Sequence, residues 1–243
     1  MAQNIYDREE FLAGYSQLPR SRMGLAGAPE WPALRALLPD LQGKRVLDLG
    51  CGFGWFSRHA AEHGAARVLG LELSEKMLER ARSMGASSVI EYRRADLETV
   101  ELPEAAFDLV FSSLALHYIA DLGALLGKVS RALVPGGSVV VSMEHPIFMA
   151  PSQPRWEGHV WPLDGYFHEG ERVTDWFTKG VVKQHRTLGT TLNLLIGAGL
   201  RLTHVEDWRP TEAQIATEPS WAKELERPMF LLLAARKDEA PAG

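Results

Sequence analysis

The chain has 243 residues, 46% of them hydrophobic, which is enough to bury a sizeable core as one globular domain. Its 31 acidic and 26 basic residues give a formal net charge of −5, and this balance disfavours a nucleic-acid substrate, which normally leaves a basic patch. A polar, acidic start, no apolar run of the ~18 residues that cross a membrane, and one cysteine predict a cytoplasmic protein without disulfides.

The first predicted strand runs directly into a glycine-rich turn and then into a helix. Residues 46–54 read Val-Leu-Asp-Leu-Gly-Cys-Gly-Phe-Gly, with helical character from Phe53 to His63 and a predicted left-handed end at Gly64. Glycines lack Cβ atoms, so a ligand can lie on the backbone at the positive end of the helix. The G-x-G-x-x-G spacing of dinucleotide dehydrogenases would need a small residue where Trp55 stands.

This glycine loop, preceded by Val-Leu-Asp-Leu, resembles the first motif of the class I S-adenosylmethionine (SAM) dependent methyltransferases. The similar branch is the type 11 group that includes the ubiquinone/menaquinone methyltransferases. The resemblance implies SAM as the cofactor and S-adenosylhomocysteine as its product. The cofactor contacts that it implies in this stretch are Asp48, Gly50, Cys51, Gly52 and Gly54.

A second predicted strand, residues 67–73, carries one carboxylate near its carboxyl end. Glu72 stands 22 positions after Gly50, and a carboxylate at that distance can accept hydrogen bonds from both hydroxyls of a ribose. We therefore expect Glu72 to bind the ribose; the alternative is a solvated residue at a strand end. Leu73 is predicted to contact the cofactor beside it.

The helix after this strand has clear start and stop signals. Ser74 is a predicted N-cap and Gly85 a predicted stop, and the helix between them turns Met77 inward. Met77 is also predicted to contact the cofactor.

A third predicted strand, Ser88 to Tyr92, leads into Arg-Arg-Ala-Asp-Leu at residues 93–97. This segment is similar to the third methyltransferase motif in position and in its Ala-Asp-Leu character. The resemblance implies that Asp96 binds the exocyclic amine of adenine and that Leu97 contacts the ring. The alternative for Asp96 is a loop residue that caps a turn.

The fourth predicted strand, Phe107 to Phe111, is followed by Ser-Ser-Leu-Ala-Leu-His-Tyr at residues 112–118, where methyltransferases line the transfer site. Ser112 is a predicted cofactor contact. The segment lacks the Asn/Asp-Pro-Pro-aromatic motif of amino-methylating enzymes. Cytosine C5 methylation needs a thiolate nucleophile, but Cys51 sits in the glycine loop. Serines replace the acid that metal-assisted catechol methylation would need, so no metal site is predicted.

A helix is predicted over Asp121 to Leu133, followed by a tight Pro-Gly-Gly turn at residues 135–137 and a fifth strand, Ser138 to Met143. A Leu-Val-Pro-Gly-Gly turn before a strand is itself a recurring methyltransferase feature. His145 follows this strand, at the carboxyl edge where open parallel sheets bind ligands.

The segment after the fifth strand is rich in rings. Residues 145–185 hold seven of the 21 aromatic residues and four of the eight histidines, together with several prolines. Long irregular loops inside compact domains are usually lids or binding loops. We expect a lid over the transfer site that excludes water and holds an apolar or aromatic acceptor. The alternatives are rings that pack the insertion onto the sheet or form a homodimer surface.

The segment before the sheet, residues 11–22, is expected to cover the other side of the cofactor. Related enzymes fold a helix across bound SAM at this location. Tyr15 could donate a hydrogen bond to the methionine carboxylate, and Arg20 could pair with it bidentately. The alternatives are an ordinary helix residue for Tyr15 and a solvated one for Arg20.

Three histidines are candidates for a catalytic base. SAM carries an activated methyl group, so the enzyme mainly aligns acceptor, methyl and sulfur and keeps water out. An acceptor that holds its proton at neutral pH would need a base, and His145 and His117 follow the relevant strands. His185 is the third candidate, with Arg186 next to it able to bind a substrate carboxylate. For each histidine a structural role is the alternative.

The last third predicts a helix over Leu188 to Ala198 and strands over Leu200 to Trp208 and Met229 to Ala235, which brings the strand count to seven. The expected fold is a Rossmann-like α/β domain with a mostly parallel seven-stranded sheet, an antiparallel last strand beside the fifth, helices on both faces and an irregular lid insertion. Its expected parts are N-terminal cap helices (1–40), a SAM-binding half (41–145), the lid (146–187) and a C-terminal sheet half (188–243).

The sequence therefore predicts SAM-dependent methyl transfer to a small-molecule acceptor, with the methylated O, N or C atom left open. An NAD-dependent dehydrogenase is one alternative, disfavoured by Trp55 and by the lack of a Tyr-x-x-x-Lys motif. A non-catalytic SAM-binding regulatory protein is the other.

Overall fold

The computed structural model of the chain describes residues 3–85 and 87–239. Its strands are β1 (Arg45–Leu49), β2 (Arg67–Glu72), β3 (Ile90–Arg94), β4 (Phe107–Ser113), β5 (Leu133–Glu144), β6 (Gly170–Trp176), β7 (Thr178–His185), β8 (Leu200–Asp207) and β9 (Phe230–Lys237). Its α-helices are α1 (Glu9–Tyr15), α2 (Pro19–Arg22), α3 (Trp31–Ala36), α4 (Trp55–Glu62), α5 (Glu75–Ser83), α6 (Leu122–Ala132), α7 (Pro146–Met149), α8 (Leu188–Gly197) and α9 (Glu212–Thr217). Short 3₁₀ turns cover Ile5–Asp7, Gly24–Gly27, Leu116–Tyr118 and Pro219–Leu225.

Seven strands form one sheet in the order β3-β2-β1-β4-β5-β9-β8. The pairs among β1 to β5 are parallel, whereas β9 runs antiparallel between β5 and β8. The predicted mostly parallel sheet and the antiparallel strand beside the fifth are confirmed. The carboxyl ends of β1, β2, β4 and β5 therefore meet at one edge of the sheet, where such folds bind ligands.

Helices cover both faces of the sheet because the buried strands alternate between two cores. In β1, Val46 packs into a core with Phe56 of α4, whereas Leu47 packs into a second core with Leu125 of α6 and Leu195 of α8. All five side chains are at most 3% exposed. Continuous apolar strands of this kind are expected for a parallel sheet with helices on both sides.

Strand β5 begins earlier than predicted. Leu133 already pairs with Phe107 of β4, and regular pairing resumes only at Ser138 opposite Leu109. The Pro-Gly-Gly segment at residues 135–137 therefore forms a bulge inside one strand rather than a separate turn, with Gly136 at φ +73°. Strand β3 also differs from its prediction, because it starts at Ile90 and runs through Arg94.

The second half of the insertion is regular rather than irregular. Strands β6 and β7 form an antiparallel hairpin with a register shift between Thr174 and Trp176, and Phe177 stands at its tip with φ +56°. In β7 the alternate residues Val181, Lys183 and His185 are buried, which is the period of a half-buried strand. The aromatic and proline content of the insertion concealed this alternation in the sequence.

The N-terminal segment and the hairpin pack against each other through a small third core. Phe11 and Val181 are both fully buried there, and the rings of Tyr6, Tyr15 and Trp176 pack around them. The side-chain amide of Gln3 donates to the carbonyl of Gly180 at 2.8 Å and accepts from the amide of Val182 at 3.0 Å. We call residues 3–22 the N-terminal cover, since they lie against this hairpin. Within the part of the chain that is described, no helix is long and apolar enough to cross a bilayer.

Candidate active site

The glycine loop between β1 and α4 is held by left-handed glycines. Gly50, Gly52 and Gly54 have φ values of +70°, +52° and +71°. A Cβ at Gly50 would meet Ala115 at 2.4 Å, and a Cβ at Gly54 would meet the Tyr92 hydroxyl at 2.1 Å. A Cβ at Gly52 would meet no described atom within 4 Å. Two of the glycines are therefore required by packing, while Gly52 exposes its backbone to open space at the carboxyl edge.

Glu72 at the end of β2 is fixed by backbone donors. Its carboxylate accepts hydrogen bonds from the amides of Gly52 at 3.1 Å, Leu73 at 2.9 Å and Ser74 at 3.0 Å. Burial raises the pKa of Glu72, and these three backbone hydrogen bonds act in the opposite direction. The carboxylate therefore links the glycine loop to the start of α5 and stands at the tip of β2, as predicted.

The N-terminal cover is attached next to Glu72. Ser74 caps α5 by accepting from the amide of Met77, and its hydroxyl donates to Asp7 at 2.5 Å. The amide of Lys76 donates to the same Asp7 oxygen at 3.2 Å. Burial raises the pKa of Asp7, but its hydrogen bonds to Ser74 and Lys76 lower it, with a net downward shift.

The loop after β3 lies beside the same edge. The amide of Ala95 donates to the carbonyl of Glu72 at 2.9 Å, so the loop that continues into Asp96 and Leu97 starts next to the end of β2. The Asp96 carboxylate accepts from the amide of Glu98 at 3.0 Å, and the Leu97 side chain is 8% exposed. Asp96 thus caps a turn, as in the alternative interpretation.

Four residues predicted to contact the cofactor are either hydrogen-bonded within the protein or buried. The Ser112 hydroxyl donates to the carbonyl of Leu49 at 2.9 Å. Asp48 accepts from the Ser57 hydroxyl at 2.6 Å, and Met77 and Cys51 are 2% and 8% exposed. Burial raises the pKa of the Cys51 thiol well above its usual value, so this cysteine is not a reactive thiolate. Leu73 by contrast is only half-buried.

Tyr15 and Arg20 are both close to the carboxyl edge. Burial raises the pKa of Tyr15, the Arg20 charge lowers it, and the Glu72 carboxylate raises it, so both charges are within electrostatic range of the phenol. The Arg20 guanidinium pairs with buried Glu30 at 3.1 Å. Arg20 is therefore not the solvated residue of the alternative interpretation.

Two of the three candidate histidines use their ring nitrogens to hold structure. His145 caps α7, because its Nδ1 accepts from the amide of Ile147 at 3.0 Å while its Nε2 bonds Asp207 at 2.8 Å. His185 bonds the carbonyl of Tyr166 at 2.8 Å through Nε2. The neighbouring Arg186 donates to the carbonyls of Ile119 and Ala120.

The third histidine, His117, belongs to a buried polar cluster at the ends of β4 and β5. Glu144 pairs with Lys183 of the hairpin at 2.5 Å, and the amide of Glu144 approaches His117 Nδ1 at 3.5 Å. The side chains of Glu144 and Lys183 are 13% and 7% exposed. Glu144 Oε2 has no hydrogen-bond partner within residues 3–85 and 87–239.

The charges in this cluster follow from its burial. Burial lowers the pKa of His117 to about 4, although the Glu144 carboxylate acts in the opposite direction, so the ring is neutral near pH 7. Burial raises the pKa of Glu144, but the charge of Lys183, which pairs with it, and the charge of Arg20 lower it, and the net shift is downward. Because His117 is neutral near pH 7, these two cations keep Glu144 ionised.

Three tyrosine rings contact each other near the two buried carboxylates, Glu72 and Glu144. The hydroxyls of Tyr6 and Tyr118 are 3.3 Å apart, and the Tyr6 and Tyr15 rings meet edge to face with centroids 5.2 Å apart. Burial raises the pKa of Tyr118, followed by the Glu144 carboxylate, with a smaller contribution from Glu72. Both carboxylates are therefore within electrostatic range of the Tyr118 hydroxyl.

Comparisons with known proteins bear directly on this site. Residues 47–141 match the family model described as a methyltransferase domain. A crystal structure of an S-adenosylmethionine dependent methyltransferase from Mesorhizobium loti is 59% identical and superimposes with a TM-score of 0.86, over 88% of this chain and 100% of that chain. The chain is a class I SAM-dependent methyltransferase.

Two sequence relatives differ in how much of the methyltransferase they match. An uncharacterized protein of Haemophilus influenzae is 35% identical over 97% of this chain and 98% of its own length. The malonyl-[acyl-carrier protein] O-methyltransferase of Erwinia billingiae is 32% identical, but over only 54% of this chain and 55% of that protein. The family assignment confirms the predicted cofactor and enzyme class and removes support for the dehydrogenase alternative.

The sequence did not predict the buried ion pair of Glu144 and Lys183. A signal for Glu144 was present, since it is a carboxylate directly after the buried residues of β5. Lys183 occupies a buried position in an alternating strand, where a lysine needs a partner. Their pairing across 39 positions depends on how the hairpin folds back, which no local pattern reveals.

Asp48 makes the stability of the methyltransferase depend on pH. Burial raises its pKa from 3.8 to about 7, so the folded protein binds a proton that the unfolded chain releases. The contribution of Asp48 to the free energy of unfolding is therefore highest below pH 4 and falls as the pH rises to 7. The slope reaches about 1.4 kcal/mol per pH unit. Asp48→Asn retains an acceptor for Ser57 but cannot titrate. As the pH rises from 5 to 8, the free energy of unfolding of this variant should increase relative to that of the parent by about 2 kcal/mol, as measured by chemical denaturation.

The matched control for this prediction is Asp108→Asn. A side-chain hydrogen bond from Arg45 lowers the pKa of Asp108, so this group stays ionised from pH 5 to 8 in both states. Its effect on the free energy of unfolding should be constant over that range. A constant Asp48→Asn difference would show that the buried Asp48 does not bind a proton on folding.

Proposed function

We propose that this methyltransferase transfers the methyl group of SAM to the O–H or N–H group of a small molecule with an apolar or aromatic body. The observation that carries the proposal is the buried Glu144 carboxylate. One of its oxygens is paired with Lys183, and the other has no hydrogen-bond partner in the described chain. A buried acceptor of this kind is costly unless something donates to it, and an O–H or N–H group of the substrate would do so.

The cofactor is proposed to lie along the ends of β1, β2 and β3. Open space over Gly52 leaves room for a ligand against the backbone, and Glu72 is held where it can accept from ribose hydroxyls. Asp96 and Leu97 follow Ala95, whose amide bonds the end of β2, and they are assigned to adenine. Tyr15 and Arg20 are assigned to the methionine end, because both are close to the carboxyl edge.

SAM supplies a methyl group that is already activated on a sulfonium. The protein has to hold the acceptor in line with that methyl and accept the proton that the acceptor loses. Ionised Glu144 is proposed to accept this proton, so that the acceptor gains a methyl in its place. Lys183 is a positioning residue that keeps Glu144 ionised and oriented.

The histidines take structural roles in this proposal. Neutral His117 lies beside Glu144 and is assigned a structural role there. His145 and His185 are assigned structural roles, since each donates or accepts through nitrogens that hold α7 or the segment at Tyr166. His145→Ala is therefore expected to loosen α7 rather than to remove the base.

Two groups of aromatic residues in the insertion have different surroundings. Trp176 packs edge to face on Phe11 and Tyr15 of the N-terminal cover, and the Lys183 ammonium lies 5.0 Å from the centroid of its ring. This group supports an apolar or planar acceptor next to Glu144. The other group, Phe148, Trp156 and Trp161, packs around Arg227.

A carboxyl group on a carrier protein is the second candidate acceptor. It is favoured by the similarity to the Erwinia billingiae malonyl-[acyl-carrier protein] O-methyltransferase, which spans about half of each chain.

Removal of the Glu72 carboxylate should weaken the binding of the cofactor. Glu72→Ala is expected to raise the Kd for SAM and for S-adenosylhomocysteine. The binding free energy should weaken by about 1–3 kcal/mol through loss of charge-assisted hydrogen bonds. Calorimetric titration measures this, with NAD as a ligand expected not to bind. Glu91→Ala is the control, since Glu91 is a half-exposed acid on β3 that pairs with Arg67 and Arg93. Equal SAM affinity in folded Glu72→Ala and in the parent would show the ribose assignment to be wrong.

Changes at Glu144 and Lys183 should act on turnover. Glu144→Gln cannot take a proton and should lower kcat by about 10²-fold or more while the Kd for SAM is unchanged. Lys183→Met removes a charge that lowers the pKa of Glu144, so activity should fall at pH 7 and recover at higher pH. Lys179→Met, at an exposed position of the same strand, should leave the pH profile unchanged. A pH profile of Lys183→Met identical to that of the parent would contradict the assigned roles.

The acceptor class is tested with SAM labelled in its methyl group. The parent is incubated with small phenols, alcohols and amines with apolar bodies and, separately, with malonyl-acyl carrier protein. Label is expected in small molecules that offer an O–H or N–H group, and mass spectrometry locates the methylated atom. Label in the carrier-bound malonyl group alone would refute the proposal and support the second candidate.

A further inference from the structure

A separate cavity of about 310 Å³ lies between the insertion and the C-terminal segment. Most of its wall is apolar, formed by Ile147, Val160, Trp161 and Leu163. The polar residues of the wall are His159, Glu226 and Arg227. The volume is sufficient for a small organic molecule.

Arg227 is the unusual member of this wall. Its side chain is 5% exposed, and aromatic rings surround its guanidinium, with centroids 4.0 Å away for Trp161, 4.4 Å for Phe148 and 5.0 Å for Trp156. Trp161 is itself fixed, because its indole N–H donates to the carbonyl of Ile147 at 3.1 Å. The rings stabilise a cation and hold its plane in one orientation.

The guanidinium is incompletely paired. Arg227 Nη2 lies 3.1 Å from the carboxylate of Glu224, but Nε and Nη1 have no hydrogen-bond partner among the described residues. Both are buried atoms of a charged group, and buried charged donors are normally satisfied. An arginine in this state can still donate to a carboxylate through a single N–H, from Nε or from Nη1, and a charge-assisted hydrogen bond of this kind is strong.

The cavity is adjacent to the proposed acceptor site. Ile147 in its wall follows Glu144 by three positions, across the bend that His145 caps. Burial lowers the pKa of Arg227, whereas the carboxylates of Glu224 and Glu144 raise it, so Glu144 is within electrostatic range of the guanidinium. Glu144 is not part of the cavity wall, so an acceptor held at Arg227 would have to extend past Ile147 to reach it.

We propose that this cavity binds the carboxylate of the methyl acceptor through Arg227, with the apolar body of the acceptor against Ile147, Val160, Trp161 and Leu163. This assignment rests on the proposed small-molecule function. It narrows the acceptor to an apolar or aromatic carboxylic acid that also carries the O–H or N–H group to be methylated. Arg227 is thus a specificity residue, because it selects the acid over its neutral analogues.

The test is calorimetric titration of the protein saturated with S-adenosylhomocysteine, using benzoate and 3-phenylpropionate as probes and their amides as neutral analogues. The parent should bind the carboxylates at least tenfold more tightly than the amides. Arg227→Met keeps an unbranched apolar side chain between the rings and should lose this preference. Arg227→Met combined with Glu224→Gln should do the same without leaving a buried carboxylate unpaired. Arg155→Met, at an exposed arginine of the insertion, should bind as the parent does.

Two results would overturn the inference. The first is that the parent protein binds S-adenosylhomocysteine but shows no binding of the carboxylate probes. The other is an unchanged preference for carboxylates in folded Arg227→Met, with folding judged by its affinity for S-adenosylhomocysteine. Methyl transfer to the acceptor panel is scored separately. Labelled small molecules without Arg227-dependent carboxylate binding would reject this site alone, whereas carboxylate binding without any labelled small molecule would reject the proposed function.

Discussion

The hydrogen bond from the Gly52 amide to the Glu72 carboxylate is the interaction on which the rest of the site depends. The same carboxylate accepts from Ser74, and Ser74 in turn donates to Asp7, so one continuous network joins the glycine loop, the end of β2, the start of α5 and the N-terminal cover. Each segment supplies either a backbone donor or a buried polar group that would be costly alone. The network therefore fixes the cofactor-facing backbone and attaches the cover with the same few atoms.

Buried charge divides this site into two parts with different requirements. The charge at Glu72 is stabilised by hydrogen bonds from backbone amides, which do not titrate. At Glu144 the charge is balanced by Lys183, a side chain on a hairpin that belongs to the insertion. A buried ion pair contributes little to stability once desolvation is counted, but loss of one partner leaves a costly charge. The pair is better explained by the ionised carboxylate that it maintains than by the stability of the fold.

Local patterns predicted the sheet and the cofactor edge, whereas residues that meet through long-range contacts were missed. The glycine spacing and the acid at position 72 work through neighbours in sequence, so they could be read directly. Lys183 meets Glu144 across 39 positions, and Arg227 meets Phe148 and the two tryptophans from a different segment. His145 shows the converse case. Its position after β5 suggested a base, but its Nδ1 caps the helix that begins at Pro146, a use that no motif indicates.

The division of the site explains what the relatives can say about the acceptor. The matched methyltransferase domain ends at residue 141, so it includes the glycine loop, Glu72 and Asp96 but neither Glu144, Lys183 nor Arg227. Proteins that share only about half of this chain can therefore bind the same cofactor and still act on a different acceptor. In the proposed function, acceptor choice depends on the insertion, the cover and the C-terminal segment, which lie outside the matched domain. A relative that places a lysine opposite the carboxylate at the end of β5 and an arginine between aromatic rings is a stronger guide to the acceptor than one with a similar glycine loop.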